Sequence, residues 1–532
     1  MTAREQKWAQ ERIRSESGPG TPPGTGTGVA LLYPNRYFVA MSNLGFLWAH
    51  HALNSAGLRC ERFTMEEGGL TPSIESGARL ADFPVIALSL SYELDYARAV
   101  SALLQAGVPA LRADRTADDP LVIAAGAAVS ANPQPLADIC DACVLGDGEP
   151  VVPDLARAFS RSPRSARLDA LSSVAGVYVP SAGGSPGRAC APHLDACDTY
   201  SHILTPDTEF GDMFLIEVMR GCAGGCRFCM AGHLNRPARS RSLESSLRLV
   251  ELGLRYRKRV GLVGLSSADY PHAEALCRGV RDRGGAVSFS SVTVASLTDS
   301  LIEHLVASGQ RTVAMAPEAA TLRLRDVVNK PMSDELIVGR ALACFRAGLS
   351  RVRLYFMLGL PGEADEDASA IVRLASAIAE ASAPLVSSRV SRCLLTLSVN
   401  PFVPKAGTAF QWAPMAPRSV LRKRLGLVSK GVGRIPRANV IHESVKWSRW
   451  QAVLARGGAD LGPVLVDVAS GADWRAALRR RGIGEAHMLE RERPADEVFP
   501  WDFIGGGVSR DVLRAEYERG LAGRASVRGP GR

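Results

Sequence analysis

The stretch 214-FLIEVMRGCAGGCRFCMAG-232 sets the reading of the chain. Phe214 to Arg220 is an apolar, strand-like run. It leads directly into Cys222, Cys226 and Cys229, spaced C-x3-C-x2-C. Gly221, Gly224 and Gly225 give this loop the freedom to wrap a bulky group. Three closely spaced thiolates suit an iron–sulfur cube, which has four iron corners, and they leave one iron open to an outside ligand. The alternative is a structural zinc site, which needs a fourth protein donor; His233 is the near candidate.

Strand-like runs recur downstream at 260–266, 286–294, 312–317, 351–359 and 393–399. Helical patterns separate or follow them near 242–257, 271–283, 298–308, 333–347, 364–382 and 417–431. Six βα units are too few for an eight-fold barrel and suit a partial (β/α)6 TIM-like one over residues 211–435. Its active groups are expected at the C-terminal ends of the strands. Upstream, strands at 29–33, 58–64, 85–91, 121–127 and 142–150 alternate with helices at 43–56 and 92–106. That alternation predicts a doubly wound, Rossmann-like parallel sheet over residues 28–160, so the chain is of the α/β class. Ligands of such sheets bind outside the carboxyl ends of the strands, which singles out Ser91, Tyr92, Gly126, Gly146, Gly148 and Glu149. Residues 1–27 and 521–532 read as disordered tails, 161–210 as a Ser/Pro/Gly-rich linker, and 436–520 as a small α+β extension.

The 532 residues are 46% apolar, 22% charged and 6% aromatic. These values exclude a mainly disordered chain, a collagen and a small disulfide scaffold. The formal charge is +9, from 63 basic and 54 acidic residues, but only seven of the basic residues are Lys. This Arg-rich skew reads as genome composition and does not indicate a nucleic-acid partner. No run is apolar and long enough to span a membrane, and the charged opening residues lack a signal core. Eleven Cys, an odd number, point away from a disulfide framework and toward a reducing cytoplasm. Cys140 and Cys143 read as buried hydrophobes, as do Cys60, Cys277, Cys344 and Cys393. Cys190, His193 and Cys197 form a candidate auxiliary metal site.

The C-x3-C-x-aromatic-C loop after the first strand of a short barrel is similar to that of the radical S-adenosylmethionine (SAM) superfamily. The resemblance implies a [4Fe–4S] cluster on Cys222, Cys226 and Cys229, SAM on the open iron, and reductive cleavage to a 5′-deoxyadenosyl radical. It also implies an electron donor of flavodoxin or ferredoxin type. By the same resemblance Phe228 lies by the adenine. Ser266, Ser267 and Asp269 stand where the family usually has Gly-Gly-Glu around the methionine ammonium, and this departure weakens the transfer of that role. Glu318 occupies a ribose- or methionine-contacting position, and Arg323 is placed to reach a carboxylate. Gly359 and Pro361 belong to the Gly-rich strand end that contacts adenine, and 400–412 resembles a stretch common to several subgroups.

The segments Asn132-Pro-Gln-Pro-Leu-Ala-Asp138 and Gly146-Asp-Gly-Glu149 resemble the cobalamin (B12)-binding-type domain that precedes many such barrels. Residues 442–458 and 499–520 likewise look like the tail of one subgroup with such a domain. The resemblance implies cobalamin at Ser91, Tyr92, Gly126, Gly146, Gly148 and Glu149, and methylation of carbon in an unidentified substrate. No Asp-x-His-x-x-Gly segment offers a histidine to cobalt. The alternatives are a domain that only shapes the substrate cleft, a tRNA methylthiotransferase-like enzyme, and a non-catalytic iron–sulfur protein. The methylthiotransferase needs three more cluster cysteines, and Cys60, Cys140 and Cys143 do not suit that by spacing.

Overall fold

A computed structural model of the chain describes residues 3–289, 292–386 and 394–526. The chain forms two compact units. One comprises Met1–Phe214, Val453–Met488 and Val498–Gly507; the other comprises Leu215–Ala452, Leu489–Glu497 and Val508–Arg532.

The first unit is built on six strands: β1 (Gly28–Leu32), β2 (Arg59–Phe63), β3 (Val85–Ser89), β4 (Leu121–Ala125), β5 (Ala142–Val144) and β6 (Val177–Tyr178). Their order is β2-β1-β3-β4-β5-β6. The first five run parallel, and β6 closes the edge antiparallel to β5. β1 is buried along its whole length, as a strand covered on both faces must be. α1 (Ala3–Ser15) precedes the sheet, α2 (Leu44–Ser55) follows β1, α3 (Tyr96–Gln105) follows β3 and α4 (Val152–Phe159) follows β5. α2 begins where its cap dictates: the Asn43 side chain accepts the Phe46 N–H at 2.9 Å. Strand order reverses between β1 and β3, and the carboxyl ends at such a reversal are where ligands of these sheets bind.

The second unit carries β7 (Met213–Glu217), β8 (Arg259–Val263), β9 (Ala286–Phe289), β10 (Thr312–Glu318), β11 (Arg351–Leu358), β12 (Leu394–Pro401) and β13 (Ala438–Ile441). They form two ladders, β9-β8-β7 and β10-β11-β12-β13, joined by one parallel bridge between Val292 and Met315. Helices follow the strands within a few residues of their expected places. Ser242, Thr298 and Ser333 each cap one of them by accepting an N–H three residues on. The α/β class and the parallel sheets match expectation. The strand count does not: a seventh strand, β13, pairs parallel with β12 from Leu395↔Ala438 to Ser398↔Ile441. β13 has four residues and none is fully buried, so no apolar run announces it.

Three other expectations are corrected. The segment 1–27 is not a free tail: α1 packs Trp8 edge-on against Tyr37 at 6.3 Å. Glu16, just past α1, accepts from Arg62 at 2.9 and 2.7 Å and from the Tyr37 hydroxyl at 2.7 Å. The cause is Arg62, whose buried charge needs the two carboxylates Glu16 and Glu75. The segment 161–210 is no mere linker, since it supplies β6 and a bridge from Ala189 to Gly146. The extension 436–520 is not a separate α+β domain. Part of it joins the first unit, where the Asn132 amide donates to the Gly457 carbonyl at 2.9 Å. The rest completes the second unit. Cys393, residues 290–291 of the third expected strand and residues 527–532 of the expected C-terminal tail lie outside the described residues.

Candidate functional site

β7 delivers the chain into the cysteine loop. A short antiparallel pair, Met219↔Ser240 and Arg220↔Arg239, closes the base of the loop. Gly221 has φ +78°, and a Cβ there would lie 2.2 Å from the Asn235 carbonyl oxygen. No other residue fits that position. The Gly224 N–H donates to the Cys222 sulfur at 3.3 Å, and the Gly232 N–H donates to the Cys229 sulfur at the same distance. Cys229 thereby caps α5 (Met230–Leu234). Backbone donors aimed at sulfur favour the thiolate form.

Burial acts the other way. It pushes the Cys226 thiol up to about 12 against the opposing charge of Lys330. It raises Cys229 as well, against the Gly232 N–H. Burial thus favours the protonated thiol at Cys226 and Cys229, and a metal that deprotonates them on binding is what the donor set awaits. His233, the fourth donor a zinc site would need, is buried with Nδ1 2.7 Å from the Cys229 carbonyl oxygen. No group of three His, Cys, Asp or Glu among the described residues is arranged for a single metal ion. Three thiols on a glycine-rich loop beside a cation fit a larger anionic cluster.

The cation belongs to a buried pair that the sequence did not announce. Lys330 Nζ lies 3.1 Å from Glu318 Oε1, and both side chains are almost fully enclosed. Burial raises the Glu318 carboxyl, with Lys330 opposing. Burial pulls the Lys330 ammonium down, but Glu318 and Cys226 outweigh that and leave it above its ordinary value. Glu318 ends β10 in the left-handed region at φ 67°. Pro317 has no N–H, and the ladder with β11 skips from Met315 to Glu318. Asn329 is also left-handed, at φ 58°, and its amide donates to the Gly225 carbonyl at 3.0 Å. Two non-glycine residues held in this region beside one loop mark a site whose surroundings over-determine its backbone.

The remaining candidates divide between strand ends and supports. Ser266 is buried at the end of β8, and its hydroxyl has no hydrogen-bond partner among the described residues. Ser267 is buried beside it, and Asp269 accepts from the Thr293 hydroxyl at 3.3 Å. Phe228 is half-buried. Arg323 is committed within the protein: it pairs with Asp367 and donates to the Gly362 carbonyl at 3.0 Å. Gly359, left-handed at φ +88°, directly follows β11 and leads into Leu360 and Pro361, and its N–H is held by Glu363. Glu363 in turn pairs with Arg424 at 2.6 Å. Parallel strands place Ser266, Glu318 and Gly359 on the same side as the cysteine loop. Lys330, Asn329, Glu363 and Arg424 are the residues that sequence reasoning missed. The positive φ of Asn329 is the one feature its residue type hinted at.

In the first unit, Ser91, Gly126 and Gly146 follow β3, β4 and β5 at their carboxyl ends. Ser91 accepts from the Asn43 amide at 3.2 Å, and Tyr92 is exposed. The glycines are required by packing within the chain. A Cβ at Gly126 would lie 2.3 Å from the Leu90 carbonyl, at Gly146 2.1 Å from that of Ala189, and at Gly148 2.6 Å from the Trp48 ring. Glu149 is half-buried beside them. Cys140 and Cys143 are fully buried; a hydrogen bond to Cys140, then burial, raises the Cys143 thiol. Cys190 is exposed, while the buried Cys197 thiol lies 3.4 Å from the His193 carbonyl.

Comparison with known proteins places these features in context. A family model described as "Radical SAM proteins, N-terminal" matches residues 58–180, and one described as "Radical SAM superfamily" matches residues 216–375. The uncharacterized protein MJ0966 of Methanocaldococcus jannaschii is 27% identical over 446 residues, which cover 82% of this chain and 90% of that one. The radical S-adenosylmethionine methyltransferase TsrM of Kitasatospora setae, solved with cobalamin and a [4Fe–4S] cluster bound, is 13% identical with a TM-score of 0.48, covering 74% of this chain and 76% of that chain. The cobalamin-dependent S-adenosylmethionine radical enzyme OxsB is 14% identical with a TM-score of 0.47, covering 66% of this chain and 52% of that chain.

Proposed function

We propose, on the premise that this chain belongs to the radical SAM superfamily, that it methylates carbon in a cobalamin-dependent radical reaction. The observation that carries the radical part is the cysteine loop: three thiols at the end of β7, two of them accepting backbone N–H bonds, beside a buried Lys330–Glu318 pair. When bound there, a [4Fe–4S] cluster supplies the electron that cleaves SAM reductively and yields the 5′-deoxyadenosyl radical.

The residues around it bind and orient. Cys222, Cys226 and Cys229 are the cluster ligands, and the Gly224 and Gly232 N–H groups steady two of their sulfurs. Lys330 balances negative charge on the cysteines, and Glu318 fixes the ammonium in place. The orphan Ser266 hydroxyl offers a hydrogen bond to the methionine end of SAM, with Ser267 and Asp269 beside it. Phe228 borders the adenine. Gly359 and Pro361, held by Glu363 and Arg424, present backbone to it. Arg323 acts as a support through Asp367, not as an anion clamp. The cobalamin part rests on the strand order of the first unit, whose reversal between β1 and β3 is where ligands of such sheets bind. Ser91 and Tyr92 follow β3 and Glu149 follows β5, and none of them offers an imidazole to cobalt. The electron donor is a flavodoxin or ferredoxin type of protein and the setting is cytoplasmic. No helix among the described residues is long and apolar enough to cross a membrane.

The test is anaerobic reconstitution with iron, sulfide and hydroxocobalamin, followed by metal analysis and reduction in the presence of SAM. The expected result is about four irons and about one cobalt per chain, with release of 5′-deoxyadenosine. Iron without cobalt would reduce the first unit to shaping the substrate cleft. Absence of SAM cleavage by a fully loaded cluster would overturn the radical reading.

A further inference from the structure

Arg227 stands between the second and third cluster cysteines, and its side chain is fully buried. Its partners close on it from two directions. Nη1 donates to the carbonyls of Asp326 at 2.7 Å and Val327 at 3.0 Å. Nε donates to Glu516 at 3.1 Å, and Nη2 to the Arg524 carbonyl at 2.8 Å and the Ser526 hydroxyl at 2.9 Å. The Ser526 hydroxyl donates to Glu516 at 2.6 Å. The Ser526 N–H donates at 2.9 Å to Asn329, whose amide already holds the Gly225 carbonyl. A continuous ring of hydrogen bonds thus leaves the cysteine loop at Arg227, runs through Glu516 and Ser526, and re-enters the loop at Gly225.

α6 (Arg510–Leu521) is seated to make this ring possible. A Cβ at Gly520 would lie 3.1 Å from Arg227 Cδ and from the Val327 carbonyl, so the helix approaches as closely as glycine permits. Tyr517 is buried one turn earlier, with ring centroids 6.3 Å from Phe410 and 6.0 Å from Trp412. The Arg227 carbonyl itself accepts the Phe410 N–H at 3.3 Å. A buried guanidinium without its carboxylate is strongly destabilising, so Glu516 is the weak link of the ring.

We propose that Arg510–Ser526 is an integral part of the cluster site: a brace that sets the conformation of the cysteine loop through Arg227 and Asn329. The inference rests on the reading that Cys222, Cys226 and Cys229 hold the cluster. Arg227, Asn329, Glu516 and Ser526 are positioning residues. The experiment uses the full chain with Glu516→Ala, Glu516→Gln and Ser526→Ala. In the metal-free, reduced protein, iodoacetamide labelling is followed by peptide mass mapping at the three cysteines and at Cys344, buried in the same unit. Loss of the brace should expose the loop: Glu516→Ala labels the three cysteines about tenfold faster than the native chain, with Cys344 unchanged. Glu516→Gln, which keeps an acceptor for Arg227 and Ser526, should bring labelling back to within about threefold of native. In the reconstituted protein, a chelator should strip iron from Glu516→Ala about fivefold faster than from native.

Unchanged labelling at all four cysteines in Glu516→Ala and Ser526→Ala would overturn the brace. A parallel rise at Cys344 in Glu516→Ala would mean a lost fold, and Ser526→Ala, which leaves the ion pair intact, then decides by the same criterion. If the native chain fails to take up iron, the cluster reading fails, while the labelling comparison still decides the brace.

Discussion

Asp95 shows how much a single side chain can report. It is pushed up to about 6 by burial, against the Asn35 amide at 3.1 Å and the charge of Arg98. Folding therefore takes up a proton between the ordinary value, about 4, and about 6. That stability is fully present below the lower value and is lost as pH rises through the upper one, up to about 3 kcal/mol in all. Asp95→Asn should flatten the dependence of the urea midpoint on pH in this window and leave the variant more stable than native at pH 7; an unchanged slope would refute the assignment. Gly221→Ala is the sharpest test at the cysteine loop. Its Cβ would strike the Asn235 carbonyl, so the reconstituted variant should bind less than half the iron of the native chain; full iron loading would show that the loop can move aside. At this scale the three cysteines were legible because ligands to one group sit within eight residues of each other. Asn329 was not, since its partner at Gly225 lies about a hundred residues away, and the Lys330–Glu318 pair, 12 positions apart, matches no helix or strand spacing.

Elements were read more fully than residues. The helices after the barrel strands appeared near their expected places because each has an apolar face and three of the six begin at a Ser or Thr cap. The cap of α2 has a second duty, since the Asn43 amide also reaches Ser91 at the end of β3. Asn43→Ala should lower stability by about 1 kcal/mol in a thermal melt. Asn43→Ser, which keeps a capping oxygen but has no amide to reach Ser91, should recover most of that loss; equal losses in both variants would mean that the Ser91 tether dominates. α1 was missed because its sequence is almost wholly polar, and its anchors, Trp8 and Glu16, matter only once Arg62 is buried. β13 was missed for a related reason: its pairing is backbone to backbone with β12, and its side chains carry little of the burial.

The two units are each assembled from separated pieces of chain, which alternation of strands and helices could not reveal. The first unit depends on Val453–Met488: a Cβ at Gly462 would lie 2.7 Å from Asp138 Cβ, and the helix Gly462–Ala469 packs on α3. A chain ending at residue 452 retains the entire sheet of the first unit but not this cover. Its melting midpoint, followed by circular dichroism, should fall by about 5 °C or more relative to the full chain. An unchanged midpoint would show that the sheet and its own helices suffice.

The brace also has a consequence in time. Arg227 and Glu516 are separated by 289 positions. At about 5–20 residues per second of synthesis, the cysteine loop leaves the ribosome tens of seconds before its brace. During that interval the nascent loop is open on one side, and the thiols are accessible to whatever delivers iron and sulfide. Synthesis of residues 510–526 then closes the ring. The brace is thus made after the loop it holds, and the loop must first fold without it.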